Sequence, residues 1–106
     1  MAANTPFEFH FEWDPEKAQR NFRKHKISFE QSAAVFGDPH ALTIYDHEHS
    51  DDEERWVTLG LDNRGVPLVV CHTYHAQSKD KAVIRIISAR KATKNEDGQY
   101  HGKRNS

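Results

Sequence analysis

The chain has 106 residues, of which 36% are hydrophobic and 29% are charged, and its formal net charge is −1. This length fits one domain with one modest core, and because no run of roughly 18 apolar residues occurs, we expect no membrane span. Cys71 is the one cysteine, which excludes an intramolecular disulfide, and the N-terminal residues lack the basic start and apolar stretch of a signal peptide. We therefore expect a cytoplasmic protein with no membrane partner.

Charges of opposite sign are separated along the sequence. Residues 46–54 hold six acidic residues and no lysine or arginine, whereas residues 17–26 hold five basic residues and no acidic one. From Lys79 to the end there are eight basic and three acidic residues. A nearly neutral protein with this separation can still present a basic surface to a polyanion.

The N-terminal segment predicts a strand followed by a helix. Residues 7–12 alternate apolar and polar with a period of two, which is typical of a half-buried strand. An aspartate–proline pair at 14 and 15 provides a cap and a first helical residue, so it predicts a helix over 14–26. Ala18 and Phe22 lie one turn apart on this helix, and we expect both in the core.

A second helix, four strands and a third helix follow. Ser28 with Gln31 three positions later matches a capping box and predicts a helix over 28–37. Apolar stretches separated by polar loops and turn-forming residues then predict strands over 41–45, 55–60, 67–75 and 82–88. Thr93 with a glutamate three positions later is another capping box, which predicts a short C-terminal helix ending near residue 100.

This order of elements predicts an α+β domain with a mostly antiparallel sheet, because hairpin-length links join most of the strands. We expect the two N-terminal helices to pack on one face of the sheet, followed by the short C-terminal helix. The single domain should span residues 7–101, with flexible ends at 1–6 and 102–106.

Two arginines, one within the last predicted strand and one just after it, are candidates for a functional role. Arg85 lies within an apolar stretch, and a guanidinium in a buried strand is costly unless an anion or a carboxylate neutralises it. Arg90 follows the strand and precedes a helix N-terminus, where a phosphate can bind. Because 85 and 90 differ by an odd number, they can serve one site only if the chain turns after about Ser88. The alternative is structural: Arg85 pairs with an acid of a neighbouring strand, and Arg90 with one such as Glu54.

Eight histidines suggest a metal site, but their spacing argues against it. His47 and His49 lie in residues 46–54, which we call the acidic loop. The sequence has neither a His-Glu-x-x-His pattern nor cysteine pairs, so we predict no metal. His72 lies in an apolar strand, where it is either a hydrogen-bonded structural residue or a general acid or base. His25 ends the first helix, where the helix dipole alone also favours a histidine. Arg55 either pairs with a preceding glutamate or belongs to the site.

Short motifs follow one another in a characteristic order from about residue 11 to residue 100. They are Phe11-Glu12-Trp13-Asp14-Pro15, Asn21-Phe22-Arg23-Lys24-His25, Phe29, Phe36-Gly37-Asp38-Pro39, Glu54-Arg55-Trp56 and Ile86-Ile87-Ser88-Ala89-Arg90-Lys91-Ala92. In this order and spacing they resemble the BrnT family of type II toxin–antitoxin ribonuclease toxins. The resemblance implies a compact RelE-like fold, a bacterial cytoplasmic location, RNA cleavage and neutralisation by a BrnA antitoxin with a ribbon-helix-helix DNA-binding domain.

With this resemblance, the basic and histidine residues become candidates for a metal-independent endoribonuclease. RNA supplies its own nucleophile, the 2′-hydroxyl, so cleavage needs a base, an acid and cations but no cofactor. The candidate catalytic residues are Arg90 and Arg85 as phosphate stabilisers, His72 or His25 for proton transfer, and Arg55 and Tyr100. The candidate RNA-binding residues are Lys17, Arg20, Lys24 and Lys91.

The alternative is a non-catalytic module that binds RNA, or only its protein partner. The expected partners are RNA and a BrnA-like antitoxin whose binding segment is acidic, or helical and amphipathic. Operator DNA would be bound only through the antitoxin, and the complex would be dimeric through that partner.

Overall fold

The computed structural model describes residues 7–104, which form six strands and three α-helices. In chain order the elements are β1 (Glu8–Glu12), α1 (Pro15–His25), α2 (Phe29–Ala33), β2 (Leu42–Tyr45), β3 (Trp56–Leu61), β4 (Pro67–His72), β5 (His75–Ser78), β6 (Lys81–Lys91) and α3 (Lys94–Arg104). The predicted flexible residues 1–6, 105 and 106 lie outside the described residues, and α3 continues past its predicted end. Within 7–104, no helix is both long and apolar enough to cross a membrane.

The strand order of the sheet is β1-β6-β4-β3-β2, and β5 pairs with the N-terminal part of β6. All pairs are antiparallel except β1 and β6, which are parallel. The predicted α+β class with a mostly antiparallel sheet is therefore confirmed. β5 lies where a polar loop was predicted. Its four residues are all exposed, so the sequence lacks the alternation of apolar and polar residues that would predict a strand there.

Apolar side chains pack on both faces of the sheet. One cluster joins the segment around α1 and α2 to β4 and β6, and we call this side the α1 face. Its buried members are Ile27, Phe29, Val35, Leu68, Val70, Ile84, Ile86 and Ala89. On the other side, the α3 face, Tyr100 of α3 packs with Leu59 and Val69. The two clusters use alternate residues of β4, as the period of a strand requires.

The predicted pair of N-terminal helices is partly wrong. The hydroxyl of Ser28 accepts the N–H of Gln31 at 3.0 Å, so α2 begins as predicted. However, α2 ends at Ala33 and continues as a 3₁₀ turn rather than as an α-helix to residue 37. This tighter turn directs Val35 into the core, while the ring of Phe36 packs on the other aromatic side chains near β1.

α1 has nearly the predicted ends but buries a different side chain. Phe22, expected in the core, is 50% exposed, whereas Asn21 is buried. Ala18, Asn21 and His25 follow i, i+3, i+7 spacing, so they form the stripe of α1 that faces the sheet. Main-chain groups of β6 lie opposite Asn21, and only a polar side chain can satisfy them.

β6 continues to Lys91 rather than ending at about Ser88. Cys71 of β4 pairs with Ser88, and the next residue of β4 pairs with Ile86. Ile87 therefore has no residue opposite it and forms a β-bulge. The turn after about Ser88, which was the condition for Arg85 and Arg90 to serve one site, does not occur, because the chain stays in the sheet for another three residues, counting from 88 to 91.

The bulge places Arg85 and Arg90 on the same face of the sheet. Ile84, Ile86 and Ala89 all belong to the cluster on the α1 face, although their spacing changes from two to three residues. The extra residue reverses the alternation of side chains after Ile86. Both arginines consequently point to the α3 face despite their odd separation.

Candidate functional site

A cavity of about 450 Å³ lies beside Arg90 and extends to the end of α1. Its polar lining consists of Lys24, His25, Cys71, Ser88, Arg90 and Glu96, and its apolar lining of Val57, Val69 and Ala89. The cavity thus brings together two predicted catalytic residues, Arg90 and His25, and one predicted RNA-binding residue, Lys24. Sequence reasoning missed Cys71 and Ser88 as lining residues, because no local pattern reveals the bulge that orients Ser88.

α1 reaches this cavity because the edge of β6 is open there. β1 pairs with β6 only at positions 81–85, so within residues 7–104 no strand lies on that side of the later part of β6. Asn21 takes the place of a strand: its Oδ1 accepts the N–H of Ala89 at 3.0 Å, and its Nδ2 donates to the carbonyls of Ala89 and Ile27 at 2.8 and 3.1 Å. A buried hydrogen bond of this kind contributes on the order of 1 kcal/mol. Asn21 therefore holds the basic end of α1 beside the cavity.

Arg90 is held by Glu96 at the start of α3. Nη1 and Nη2 of Arg90 donate to Oε1 and Oε2 of Glu96 at 2.8 and 2.9 Å, and Nη1 also donates to the carbonyl of Lys91 at 3.2 Å. Oε1 of Glu96 accepts the N–H of Thr93 as well, which completes the predicted capping box. The hydrogen bonds from Arg90 lower the pKa of Glu96 to about 2, and the same bonds raise the pKa of Arg90. The carboxylate partner is Glu96 and not Glu54.

This ion pair leaves one edge of the Arg90 guanidinium unoccupied. Each terminal nitrogen of a guanidinium carries two N–H groups, and Nε carries one. Glu96 and the Lys91 carbonyl engage both N–H groups of Nη1 and one of Nη2, so Nε–H and the second Nη2–H have no partner within residues 7–104. These two groups lie side by side, in the geometry that binds two phosphate oxygens. Glu96 therefore orients Arg90 without occupying its second binding edge.

Arg85 and Arg55 do not line the cavity and instead approach one glutamate of the acidic loop. Nη2 of Arg85 donates to Oε1 of Glu53, and Nη2 of Arg55 lies 3.9 Å from the same oxygen. Nε of Arg55 is buried and has no hydrogen-bond partner in the part of the chain that the structure describes. Both arginines hold the acidic loop against the sheet. This favours the hypothesis that each arginine forms a structural ion pair over the hypothesis that it belongs to the catalytic site.

His72 is buried on the α1 face, away from the side chain of Arg90. It is 2% exposed, its Nε2 lies 2.7 Å from Oγ1 of Thr58, and its Nδ1 lies 3.0 Å from the carbonyl of Thr73. The ring packs edge-on against Phe36. Burial lowers the pKa of His72, which favours the neutral imidazole. These contacts support a structural role for His72 rather than proton transfer in the cavity.

Tyr100 is buried as well and connects α3 to the rest of the domain. It is 1% exposed, and its hydroxyl donates to Oδ2 of Asp38 at 2.7 Å. The same carboxylate oxygen accepts the N–H of Leu61 at 2.9 Å. Tyr100 thus joins α3 to the turn before β2 and to the end of β3, which supports a structural rather than a catalytic role.

Lys17, Arg20 and Lys24, three of the candidate RNA-binding residues, are exposed along α1. Their i, i+3, i+7 spacing places them in one row, which we call the basic stripe. Within residues 7–104, none of them forms an ion pair with a carboxylate. Lys24 lines the cavity, so the basic stripe leads from the cavity along the helix. Lys91, the fourth predicted RNA-binding residue, is exposed and adjoins Arg90, but successive strand residues point to opposite faces.

Comparisons with known proteins agree with this architecture. The family described as "Ribonuclease toxin, BrnT, of type II toxin-antitoxin system" matches residues 13–96. The fold is similar to the 1.1 Å crystal structure of the Brucella abortus ribonuclease toxin BrnT, with a TM-score of 0.59, 20% sequence identity, and coverage of 82% of this chain and 100% of that one. No curated protein matches the chain. Because the family match spans most of its length, the chain belongs to the BrnT family of ribonuclease toxins of type II toxin–antitoxin systems.

Proposed function

We propose that this toxin is an endoribonuclease that cleaves RNA, without a metal ion, in the cavity between the end of α1 and Arg90. The observation that carries the proposal is the meeting of Lys24 and His25 with Arg90 in one cavity, although Arg90 is distant from them in the sequence. An imidazole can transfer protons and two cations can stabilise the phosphate charge, which is what metal-independent RNA cleavage requires. Membership of a family of ribonuclease toxins supports the proposal at the level of reaction class.

The 2′-hydroxyl of RNA is the nucleophile of the proposed reaction. It attacks the adjacent phosphorus, its proton passes to a base, and the bond from phosphorus to the 5′-oxygen breaks. The leaving 5′-oxygen takes up a proton, so the products end in a 2′,3′-cyclic phosphate and a 5′-hydroxyl. An imidazole can both accept and donate a proton near neutral pH, and we assign this role to His25 because it lines the cavity.

Arg90 and Lys24 stabilise the negative charge that develops on the phosphate. Arg90 offers the N–H groups of Nε and Nη2, and its fixed position means that little reorganisation is needed during the reaction. Lys24 adds a compact ammonium charge on a flexible stem. Lys17 and Arg20 extend the positive surface along α1, where the RNA backbone would bind.

One observation favours a second function. The Arg90 charge is neutralised by Glu96, as expected for an arginine that supports the fold. A module of this kind would bind RNA, or only its protein partner, through the basic stripe and would not cleave.

Incubation of the purified toxin with labelled RNA in the presence of EDTA separates the two functions. We expect cleavage at a rate that EDTA does not change, and products that carry 2′,3′-cyclic phosphate ends. RNA that shifts in a native gel but stays intact would favour the binding module. Cleavage that appears only after a divalent ion is added would contradict the metal-independent reaction.

We further propose that a BrnA-like ribbon-helix-helix antitoxin neutralises this toxin in the bacterial cytoplasm. Family membership implies an antitoxin, and the basic stripe offers a surface that an acidic or amphipathic segment would cover. The toxin would meet operator DNA only through this partner, in a complex that is dimeric through it. Purification from the native operon should yield chains of two sizes, and a lone toxin that accumulates without toxicity would contradict the proposal.

A further inference from the structure

β1 forms one edge of the sheet, and its outer side is open. Its inner side pairs with β6, and no other strand within residues 7–104 pairs with it. All five residues of β1 are exposed. An open edge presents unpaired main-chain donors and acceptors, so it is a template for an additional strand.

One hydrogen bond shows which main-chain groups of β1 point outward. The N–H of Glu8 donates to the carbonyl of Asp80 at 2.8 Å, so the main chain of Glu8 faces β6. The direction of the main-chain groups alternates along a strand, and therefore Phe9 and Phe11 direct their N–H and C=O groups outward. The free edge thus offers donors and acceptors at two alternate residues.

Phe9 and Phe11 of β1, with Phe7 just before the strand, form an exposed apolar row on the α1 face. Phe7, Phe9 and Phe11 are 46%, 37% and 36% exposed. The ring centroid of Phe36 lies 6.1 Å from that of Phe9 and 5.5 Å from that of Phe11. A cavity of about 470 Å³ lies between this row and the 3₁₀ turn after α2. A contiguous aromatic patch of this kind is typical of a protein interaction surface.

The other face of β1 is acidic at the sheet edge. Glu8 and Glu12 alternate with the phenylalanines, and His10 lies between them with its Nε2 3.4 Å from a carboxylate oxygen of Glu8. Lys81 and Arg85 are their register partners on β6, but the guanidinium of Arg85 is already bound to a glutamate of the acidic loop. Carboxylates on the outermost strand repel RNA and favour lysine or arginine on a strand placed beside them.

We propose that the outer edge of β1 binds an extended segment of the antitoxin, separate from the segment that covers the basic stripe. This extended segment is apolar on the side of the phenylalanines and carries lysine or arginine on the other side. This inference rests on the proposed toxin function, which supplies the antitoxin. The segment adds a strand to the sheet, and its main chain pairs with Phe9 and Phe11. A second copy of this chain fits less well, because full antiparallel overlap of two β1 strands centred on His10 places Glu8 opposite Glu12 twice.

Peptide binding to the full chain tests the edge. The probes are two fluorescent peptides of about eight residues, one alternating valine with lysine and the other alternating valine with glutamate. In fluorescence anisotropy, the valine–lysine peptide should bind at least about tenfold more tightly. Phe9→Pro removes an outward N–H but keeps the bonds to β6, so it should weaken binding about tenfold relative to Phe9→Val, which keeps that N–H.

A charge exchange gives a second test that does not depend on proline. The double variant Glu8→Lys/Glu12→Lys should bind the valine–glutamate peptide more tightly than the valine–lysine peptide. If circular dichroism shows that Phe9→Pro does not fold, this double variant becomes the deciding test. Equal binding of both peptides to the wild type, equal binding by the two Phe9 variants, or an unchanged preference after the exchange would overturn the proposal. So would a wild-type dimer in sedimentation that Phe9→Pro dissociates, because a second copy would then occupy the edge.

Coexpression with the antitoxin from the native operon connects the peptide result to the partner. Tagged Phe9→Val toxin should retain the antitoxin, and Phe9→Pro toxin should retain much less of it. After denaturation, removal of the antitoxin and refolding, both variants should cleave RNA, because Phe9 does not line the cavity beside Arg90. Retention of the antitoxin by Phe9→Pro at the level of Phe9→Val would overturn this surface alone. A wild type that binds the antitoxin through β1 but does not cleave RNA after the antitoxin is removed would contradict the proposed nuclease and support the surface.

Discussion

The first and last parts of β6 each carry an ion-paired arginine on the same face of the sheet, but their surroundings differ. Along the first part, β1 covers the strand edge, and Arg85 binds Glu53 of the acidic loop. At the other end the edge is open, α1 approaches it, and Arg90 is held by a helix-capping glutamate beside a cavity. An arginine within a buried strand therefore does not by itself mark a site. The open strand edge makes the candidate site possible, because another element can add an imidazole and a second cation there.

The two ion pairs also differ in geometry. Arg90 meets Glu96 through both terminal nitrogens, which fixes the plane of the guanidinium and leaves the Nε edge available. Glu53 accepts from Arg85 through a single carboxylate oxygen, which Arg55 approaches as well. We therefore expect Arg90 to act on a bound phosphate and Arg85 to stabilise the acidic loop.

The largest difference is expected between the RNA cleavage rates of variants that lack Arg90 or Arg85. Arg90→Ala should lower the single-turnover rate of RNA cleavage by about 10²-fold, in the range seen for loss of a transition-state donor. RNA affinity should fall much less, since several cations share ground-state binding. Arg85→Ala is the matched control and should lower the rate less than about threefold. Equal losses in both variants, or an Arg90→Ala protein that thermal melting shows to be unfolded, would contradict the comparison.

Glu96→Gln tests whether the ion pair orients Arg90. Glutamine keeps an acceptor for the helix cap but removes the charge, so the guanidinium is held less firmly. We expect kcat about tenfold lower, while the Kd for RNA stays unchanged or decreases because Arg90 is no longer neutralised. Thr93→Ala removes the other half of the capping box without contacting Arg90, and its kcat should stay near that of the wild type. A higher kcat in Glu96→Gln would show that Glu96 restrains Arg90 instead.

The free energy of unfolding of Glu96→Gln should also depend less on pH under acidic conditions than that of the wild type. The pKa of Glu96 is about 2 in the folded protein and 4.5 ordinarily, so folding favours the carboxylate form. The stabilisation is therefore fully present above about pH 4.5 and is lost as the pH falls toward 2. In urea denaturation, the free energy of unfolding should decrease more steeply through this window for the wild type than for Glu96→Gln. Parallel pH profiles would show that the pair does not contribute to stability.

The smallest expected effect lies outside both ends, on the basic stripe. Lys17→Ala should weaken RNA binding about threefold and reduce its salt dependence, with near-normal turnover at saturation, because we propose that Lys17 contacts only the RNA backbone. Lys79→Ala, in the exposed turn before β6, is a matched control that should leave both unchanged. A loss of turnover at saturating RNA in Lys17→Ala would place the reaction further along α1 than we propose.

Elements with local signals were predictable from the sequence. The caps at Asp14, Ser28 and Thr93 form as expected, because each joins residues two or three positions apart. The antiparallel sheet was also predictable, since apolar alternation and short links are read within neighbouring segments. The parallel pairing of β1 with β6 had no comparable signal, because it joins segments separated by most of the chain.

For the candidate site, the sequence by itself determined the kinds of side chain and, through its motifs, the family. Tertiary structure decided which side chains meet: it buried His72, bound Arg85 to Glu53, and brought His25 to the same cavity as Arg90. The meeting of His25 with Arg90 depends on an unopposed residue in β6, on where β1 stops pairing, and on one asparagine that satisfies an open edge. All three are set by hydrogen bonds between segments distant in the chain, and no pattern within a single segment specifies which distant partner will supply them.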